Sequence, residues 1–544
     1  MTTPYASVAI DILEKETDWP KVQGLVLEDY GLTHHHRYNK IAYFMCRIKN
    51  IKAFKQTLGK CLTGKLPGFT FGDVFFKDNR LTRLPPLINI GLTAPGLIKL
   101  FGEEDDVSAQ VFEAYLKSTF LAYYEGAHAR AELQLGDIMK LWNKSFVPDG
   151  EKQIHIVLSV YYCGGKGQTD ILPTPETERE LDVLFKPLKK GLKFLKINYN
   201  KNKMRGPHNG MYTNELDIRK EHFGFKDSIS QPWINGAPRP KFSTKHDKVM
   251  PWTLLLRDEY KAMYSLDAGQ CDTAAYLGLP HLGNKSKQHI NARIRQVMEN
   301  GSFGAFRILE KDVPLFRKYL KMASSLSGKT PSWIASRMIG RWYNGTPIAI
   351  SPDEPNIVYD LIDDYLDPEK RKLLSVNDRK QIEMLNFFPF NSDGLNCPQG
   401  SHIRRNNPRN TIIGGRIDLR RLIRRYGHYG SNYDAFQPES AEEKRGLIGF
   451  FICTDLFQQF EHVHRQWMND GRFTALNIAE KDPIYSNNPM FEDMVKNKQP
   501  GGMFTVNEEP KNMTFREIPR FVTPRAGVYV FFPSREGLKA LAGI

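Results

Sequence analysis

A single histidine, His402, stands directly in front of an arginine-rich segment of the chain. It follows a turn-forming stretch at residues 398–401, and eight arginines fall between Arg404 and Arg425. An imidazole can ligate a metal, and a dense cationic patch beside it suits an anionic metal complex better than a bare ion. Haem is such a complex, because its iron takes an axial imidazole and its two carboxylates suit arginine. Taken alone, the segment also allows a polar loop histidine beside a solvated or nucleic-acid-binding arginine face.

A carboxylate far upstream offers a second reactive group. Asp227 lies between the apolar residues Phe225 and Ile229, with Gly224 before it and Pro232 after it. A carboxylate in apolar surroundings is partly desolvated, which predicts a raised pKa suited to proton transfer. The alternative is a carboxylate that caps its own turn through a local hydrogen bond.

The two segments, in this order, resemble two motifs of the dye-decolorizing peroxidases. The first motif is Gly-x-x-Asp-Gly, and residues 224–228 match it except that Ser228 replaces the second glycine. The second is Cys-Pro-x-x-x-His-Ile-Arg-Arg-x-Asn-Pro-Arg, which residues 397–409 match. Further similarities lie at residues 22–25, which look like the family's opening strand, and at 336–347, 445–461 and 521–533. The resemblance therefore runs in order along nearly the whole chain.

The resemblance implies haem b (iron protoporphyrin IX) as cofactor, with His402 as the proximal iron ligand. It implies Asp227 as the distal acid–base group and Arg424 as the distal cation that stabilises charge on the leaving oxygen. Arg424 alternatively binds a haem propionate, and Cys397 is a rival iron ligand that the family pattern does not use. The remaining implied haem contacts are an apolar wall residue, Leu447, and three propionate partners of which one or two face solvent: Arg404, Arg405 and Arg409.

The proximal histidine also needs a partner for its second ring nitrogen, because such a histidine usually donates that N–H to a carboxylate or a carbonyl. Asp455 and Glu461 are the two candidates, and the sequence does not choose between them. A second departure from the family pattern is His428, which stands where the family has proline. With aspartate as the distal base, we expect activity in the range where aspartate titrates, roughly pH 3 to 5.

The implied function is that of a haem peroxidase. Hydrogen peroxide would oxidise the haem to a ferryl intermediate, and bulky aromatic reductants such as dyes and phenolics would restore it. The alternative is a haem-binding or iron-release protein with little peroxidase activity, which would not need both Asp227 and Arg424. The formal charge of +15 also raises the possibility of a nucleic-acid-binding protein, but no nucleic-acid motif accompanies the charge.

Composition limits the class of protein further. The chain has 544 residues, of which 41% are hydrophobic and 25% charged, as is ordinary for a globular protein. It has no apolar run near the ~18 residues that cross a bilayer, and residues 1–18 lack a basic region followed by an apolar core. We therefore expect no membrane association and a cytoplasmic location, although secretion by another route is compatible. Either a monomer or a homodimer is compatible with the sequence.

Apolar periodicity predicts an α+β fold in two similar halves. Strands are predicted at residues 22–27, 41–48, 87–92, 153–162, 303–309, 446–453 and 528–532. Helices are predicted at residues 51–62, 107–124, 176–195, 313–323 and 456–467. The resemblance implies two ferredoxin-like domains with antiparallel sheets, the dimeric α/β-barrel-type fold of haem peroxidases. The predicted domains are residues 1–210 and a haem-binding domain of residues 211–544, with a surface insertion around 236–291.

Overall fold

The computed structural model describes the greater part of the chain. The described residues are 19–27, 38, 40–72, 86–102, 106–150, 153–162, 172–199, 206–213, 220–227, 229, 232–237, 248–249, 254–256, 284–366, 368–386, 389–409, 420–433, 436, 442–473, 480–508 and 510–544.

A nine-stranded sheet organises the fold, and its strands follow the order β4-β1-β3-β2-β13-β8-β10-β9, with β5 paired to β1. Two further pairs, β6 with β7 and β11 with β12, lie outside this sheet. The strands are β1 (Lys40–Ile48), β2 (Leu87–Leu92), β3 (Ile156–Tyr162), β4 (Leu192–Phe194), β5 (Met211–Tyr212), β6 (Trp233–Ile234), β7 (Lys248–Val249), β8 (Ser302–Lys311), β9 (Ile423–Tyr429), β10 (Gly446–Cys453), β11 (Gly502–Val506), β12 (Met513–Ile518) and β13 (Val522–Phe532).

Each half of the large sheet has the ferredoxin-like strand order, in which the fourth strand lies beside the first and the third separates the first from the second. In the N-terminal half this order is β4-β1-β3-β2, and in the C-terminal half it is β13-β8-β10-β9. All these neighbours are antiparallel. Helices follow the first and third strand of each half, as the motif requires. The predicted α+β fold with two ferredoxin-like units is therefore confirmed.

The helices connect and cover these strands. Four of the longer ones begin at a side chain that accepts a hydrogen bond from a free N–H of the first turn, namely Asn50, Thr174, Asp312 and Thr330. The described α-helices are Gly24–Leu27, Ile51–Leu62, Ala94–Phe101, Asp106–Thr119, Leu121–Arg130, Pro175–Gly191, Asn284–Met298, Val313–Ser327, Pro331–Ile339, Ile362–Leu366, Pro368–Leu373, Val376–Glu383, His402–Asn406, Phe491–Asn497 and Arg535–Ala542. Wider π-helical turns occupy Ala131–Leu135, Leu456–Glu461 and Val463–Met468.

The two halves of the sheet share one interior. They join where β2 pairs with β13 at Leu92 and Phe531. On one face the ring of Tyr43 packs edge-on against Phe306 at 5.3 Å and Phe450 at 5.9 Å, so β1 contacts strands of the other half. The predicted division at residue 210 stays a prediction. In the parts of the chain that the structure describes, no helix combines the length and apolarity needed to span a bilayer.

The predicted opening strand is wrong. Residues 24–27 form a short buried helix, and its neighbour Gln23 contacts the sheet through its side chain, which donates to the carbonyls of Ile90 and Pro533 and accepts from the N–H of Ile90. A short apolar run that is buried on all sides does not reveal its period, so it reads equally well as strand or helix.

Two predicted helix boundaries are also wrong. The helix predicted at 107–124 is two helices that meet at Phe120. The helix predicted to reach residue 195 ends at Gly191, where a Cβ would lie 2.5 Å from the backbone nitrogen of Phe54, and the chain then enters β4. Most of the predicted insertion at 236–291 lies outside the described residues.

Candidate active site

A cavity lies over the C-terminal half of the sheet. Residues of β8, β9 and β10 line it together with helix His402–Asn406, and its volume is about 320 Å³. Five of the seven residues predicted for the site line it, although they come from distant parts of the sequence: Asp227, His402, Arg409, Arg424 and Leu447. Such a space fits a ligand much larger than a metal ion.

His402 is the first residue of a five-residue helix that its neighbours hold in place. Ser401 precedes the helix, is fully buried, and donates its hydroxyl to the carbonyl of Arg337 at 2.5 Å. The Nδ1 atom of His402 lies 2.8 Å from Oδ2 of Asp482. When Nδ1–H donates to this carboxylate, Nε2 keeps the lone pair and is the nitrogen available to a metal.

Asp482 is the carboxylate that orients the candidate ligand. Its side chain is fully buried, and its Oδ1 accepts hydrogen bonds from the backbone N–H groups of Ile484 at 2.9 Å and Tyr485 at 3.0 Å. Burial opposes ionisation of this carboxyl, but the charge and hydrogen bond of His402 and the two backbone donors hold its pKa below the ordinary value. The carboxylate therefore remains available to accept from the imidazole.

Neither of the two acceptors predicted for His402 is correct. Asp455 accepts from the backbone N–H of Gln458 and begins the helical segment there. Glu461 accepts two hydrogen bonds of 2.6 Å from Arg130. Both carboxylates are thus committed to other partners. Asp482 was missed because its residue type and neighbours do not distinguish it in the sequence.

A strand places three polar side chains near Asp227 from one direction. Arg424, Tyr426 and His428 are alternate residues of β9, so they point to the same face of the sheet. The hydroxyl of Tyr426 donates to Oδ2 of Asp227 at 2.5 Å, and Nε2 of His428 lies 3.7 Å from the same oxygen. Tyr426 was not predicted as a site residue, although strand alternation from Arg424 points to it.

These neighbours reverse the predicted pKa shift of Asp227. Burial does favour the neutral acid, since the side chain is only 11% exposed. The nearby ring of His428, the positive charge of Arg424 and the hydrogen bond of Tyr426 outweigh that cost and hold the pKa of Asp227 well below its ordinary value. The expectation of a raised pKa is therefore wrong, and Asp227 is a carboxylate at rest.

Arg404 and Arg405 do not line the cavity, so the structure does not support their predicted role as propionate partners, which stays a prediction. They are 1% and 0% exposed, so neither faces solvent. The guanidinium of Arg404 donates to the carbonyls of Cys397 at 2.5 Å and Asn391 at 2.7 Å. That of Arg405 donates to the carbonyls of Trp467 and Glu480. Both arginines tie the helix of His402 to the surrounding backbone.

Of the other residues considered in the sequence, some line the cavity and some do not. Arg409 lines the cavity with its guanidinium 5.0 Å from the ring centre of Phe390, and Leu447 lines it from β10. Cys397, the rival ligand, is fully buried outside the cavity lining, and burial raises the pKa of its thiol. Ser228 lies outside the described residues.

Two buried cavity residues carry polar atoms that no described group satisfies: Nε2 of His464, an acceptor, and Nη1 of Arg307, a donor. Nδ1 of His464 lies 2.9 Å from the carbonyl oxygen of Phe460, while its buried Nε2 has no hydrogen-bond partner among the described residues. Arg307 bonds Asp137 through Nη2 at 2.7 Å, and its Nη1 is likewise unpartnered there. Burial and the charge of Arg307 lower the pKa of His464 to about 3. The Nη1 donor of Arg307, together with an oriented imidazole, fits a bulky anionic metal complex such as haem.

The structure therefore defines an α+β protein with a ferredoxin-like fold and a cavity that holds an oriented histidine together with a carboxylate and an arginine. Within that class, the chain is 27% identical over 345 residues to a dye-decolorizing peroxidase of Mycena epipterygia, covering 59% of this chain and 57% of that one. It is 28% identical to a dye-decolorizing peroxidase of Exidia glandulosa, covering 59% and 55%. The matched part thus spans little more than half of each relative. No protein-family model matches the chain.

Solved structures extend the likeness to the whole fold. A dye-decolorizing peroxidase in complex with 2,6-dimethoxyphenol superposes with a TM-score of 0.66 at 20% identity, covering 97% of this chain and 100% of that one. The F194W mutant of the dye-decolorizing peroxidase from Pleurotus ostreatus superposes with a TM-score of 0.63 at 21% identity and covers 97% and 100%. The resemblance found in the sequence is confirmed, and the fold is that of the dye-decolorizing peroxidases.

Proposed function

We propose that this chain is a haem-dependent peroxidase of the dye-decolorizing type, which uses hydrogen peroxide to oxidise bulky aromatic compounds. One observation carries the proposal: a single cavity holds His402, oriented by Asp482, together with the ionised Asp227 and with Arg424. A protein that only stores haem needs the histidine but not the other two. Haem bound there would take two oxidising equivalents from peroxide and return them to reductants one at a time.

His402 would hold the iron through Nε2, because Nδ1 is committed to Asp482. Asp227 would accept the first proton of peroxide and deliver it to the outer oxygen, which then leaves as water. A carboxylate with a lowered pKa is ready to accept that proton at any pH above its own titration. Arg424 would stabilise the negative charge that develops on the departing oxygen. Arg409 and the unpartnered Nη1 of Arg307 would face the polar, anionic edge of the cofactor.

The basic test is the absorption spectrum of the purified protein after haem is supplied. We expect a Soret band that changes within one turnover when one equivalent of hydrogen peroxide is added, followed by decolorization of an anthraquinone dye. A protein that binds haem but shows no spectral change with peroxide would instead be the haem-binding or iron-release protein. A protein without a Soret band would refute both functions.

Replacing Arg424 with leucine should slow the peroxide-induced Soret change by about 10²- to 10³-fold, because one preorganised charge donor is lost from the transition state. Stopped-flow absorbance measures this rate. Arg424→Lys is the matched variant, since it keeps the positive charge but loses the planar guanidinium group. Its rate should lie between those of the wild type and Arg424→Leu. A wild-type rate in the leucine variant would show that Arg424 does not act on peroxide.

The pH dependence of the same rate follows from the lowered pKa of Asp227. The base must be deprotonated to act, so the rate falls only as the pH drops through the pKa of Asp227. Because that pKa is depressed, the acidic limb should lie below the ~3.9 of an ordinary aspartate. Stopped-flow rates in buffers on both sides of that value measure the limb. An acidic limb at pH 5 or above would contradict the predicted environment of the carboxylate.

A further inference from the structure

We propose that Tyr426 is a positioning residue for the distal base: its hydroxyl holds the Asp227 carboxylate in place as an anion. This role rests on the proposed function, because it acts through the base of that reaction. Neither the family motif nor the predicted site includes Tyr426. It follows from the position of the residue on β9, where its side chain lines the same cavity as Asp227.

The geometry is that of a charge-assisted hydrogen bond. The Tyr426 hydroxyl lies 2.5 Å from Oδ2 of Asp227, within the range of O–H donors to carboxylates. Tyr426 sits on a strand that pairs with β10 along its length, so its ring is carried by a rigid element. Asp227, in contrast, lies outside the strands, and its only described immediate neighbour, Lys226, is paired with Asp363. A rigid donor therefore fixes the one group that must move protons.

The bond also determines which form of the carboxyl is favoured. A hydroxyl that donates to the carboxylate stabilises the anion over the acid. Arg424 and His428, on the same strand, also act on Asp227. Behind His428 lies His222, with ring centres 5.2 Å apart, and near His222 lie the charges of Lys311 and Arg445. Removing the Tyr426 hydroxyl leaves all these charges in place and deletes one neutral donor.

Cyanide is the probe that reports this role without turnover. Hydrogen cyanide must give up its proton to bind ferric haem as the anion, and the distal base accepts it. In the haem-loaded protein, the cyanide association rate is measured by the Soret shift from pH 2.5 to 7. We expect Tyr426→Phe to move the acidic midpoint of this rate upward by on the order of one pH unit. The matched control, Tyr429→Phe, removes a buried hydroxyl from the same strand outside the cavity, and its midpoint should equal that of the wild type.

The outcomes separate the two proposals. A midpoint in Tyr426→Phe equal to that of the wild type would overturn the role of Tyr426. Asp227→Asn should abolish the acidic limb altogether; an unchanged limb in that variant would instead overturn Asp227 as the base, and with it the proposed mechanism. If Tyr426→Phe binds no haem, 3-fluorotyrosine at position 426 replaces it. The more acidic hydroxyl of 3-fluorotyrosine is a stronger donor and should move the midpoint downward, whereas an unmoved midpoint would refute the role.

Discussion

His402→Ala is expected to purify without a Soret band, and haem added afterwards should bind far more weakly than in the wild type. Changing a residue that only orients a metal ligand typically lowers affinity about 10- to 100-fold. Loss of the ligand itself should exceed that, because no other described histidine that lines the cavity is oriented by a carboxylate. Titration of the apoprotein with haemin, followed by absorbance, measures the effect.

Two comparisons make the His402→Ala result specific. His462→Ala removes a half-buried histidine outside the cavity lining, so it should retain haem as the wild type does. Imidazole in the buffer should restore a Soret band to His402→Ala, because it can occupy the space of the lost side chain and supply the missing nitrogen. Full haem retention by His402→Ala without imidazole would move the iron ligand to another residue, such as His464.

Asp227→Asn is expected to keep its haem and to lose nearly all reaction with peroxide. The amide has the shape of the carboxylate but cannot accept the proton, and general base catalysis typically contributes 10²- to 10⁴-fold. The rate of the Soret change after mixing with one equivalent of peroxide should fall by about that factor. Measurement by stopped flow at pH 5, well above the acidic limb, separates this loss from simple protonation.

Asp363→Asn is the matched control for that experiment. It also replaces a carboxylate with an amide, but at Asp363, which forms a salt bridge with Lys226, the residue before Asp227. Its side chain does not line the cavity, so the peroxide rate should stay near that of the wild type. An equal loss in both variants would show that the loop conformation, and not the proton acceptor, limits the rate.

The arginine-rich segment shows how far the sequence predicts such a site. Residue types and spacing predict that His402 and Arg409 belong together, and both line the cavity. Residue types and spacing do not predict that Arg404 and Arg405 point away from the cavity. A sequence motif does not show which backbone carbonyls the fold places beside these two guanidinium groups. The prediction of the hydrogen-bond acceptor of His402 was wrong for the same reason, since Asp482 is 80 residues away in the sequence and comes close only in the folded protein.

The longer strands were predicted correctly, whereas the short apolar helix at residues 24–27 was not. Strands such as β1 and β10 are long apolar runs with distinct ends, so the predicted and observed bounds nearly coincide. Residues 24–27 are too few to reveal a period, and burial on all sides hides it further. The direction of the pKa shift of Asp227 was also not predictable from the sequence, because three side chains of a strand about 200 residues away determine it.

Contacts in and around the cavity join residues that are far apart in the sequence. His402 meets Asp482 across 80 residues, Arg405 meets Glu480 across 75, and Asp227 meets Tyr426 across 199. Closing such long loops costs chain entropy that is recovered only when the sheet and its helices have assembled. Under the proposed function, haem would therefore bind late in folding, and we expect the Soret band of the refolding protein to report completion of its C-terminal half.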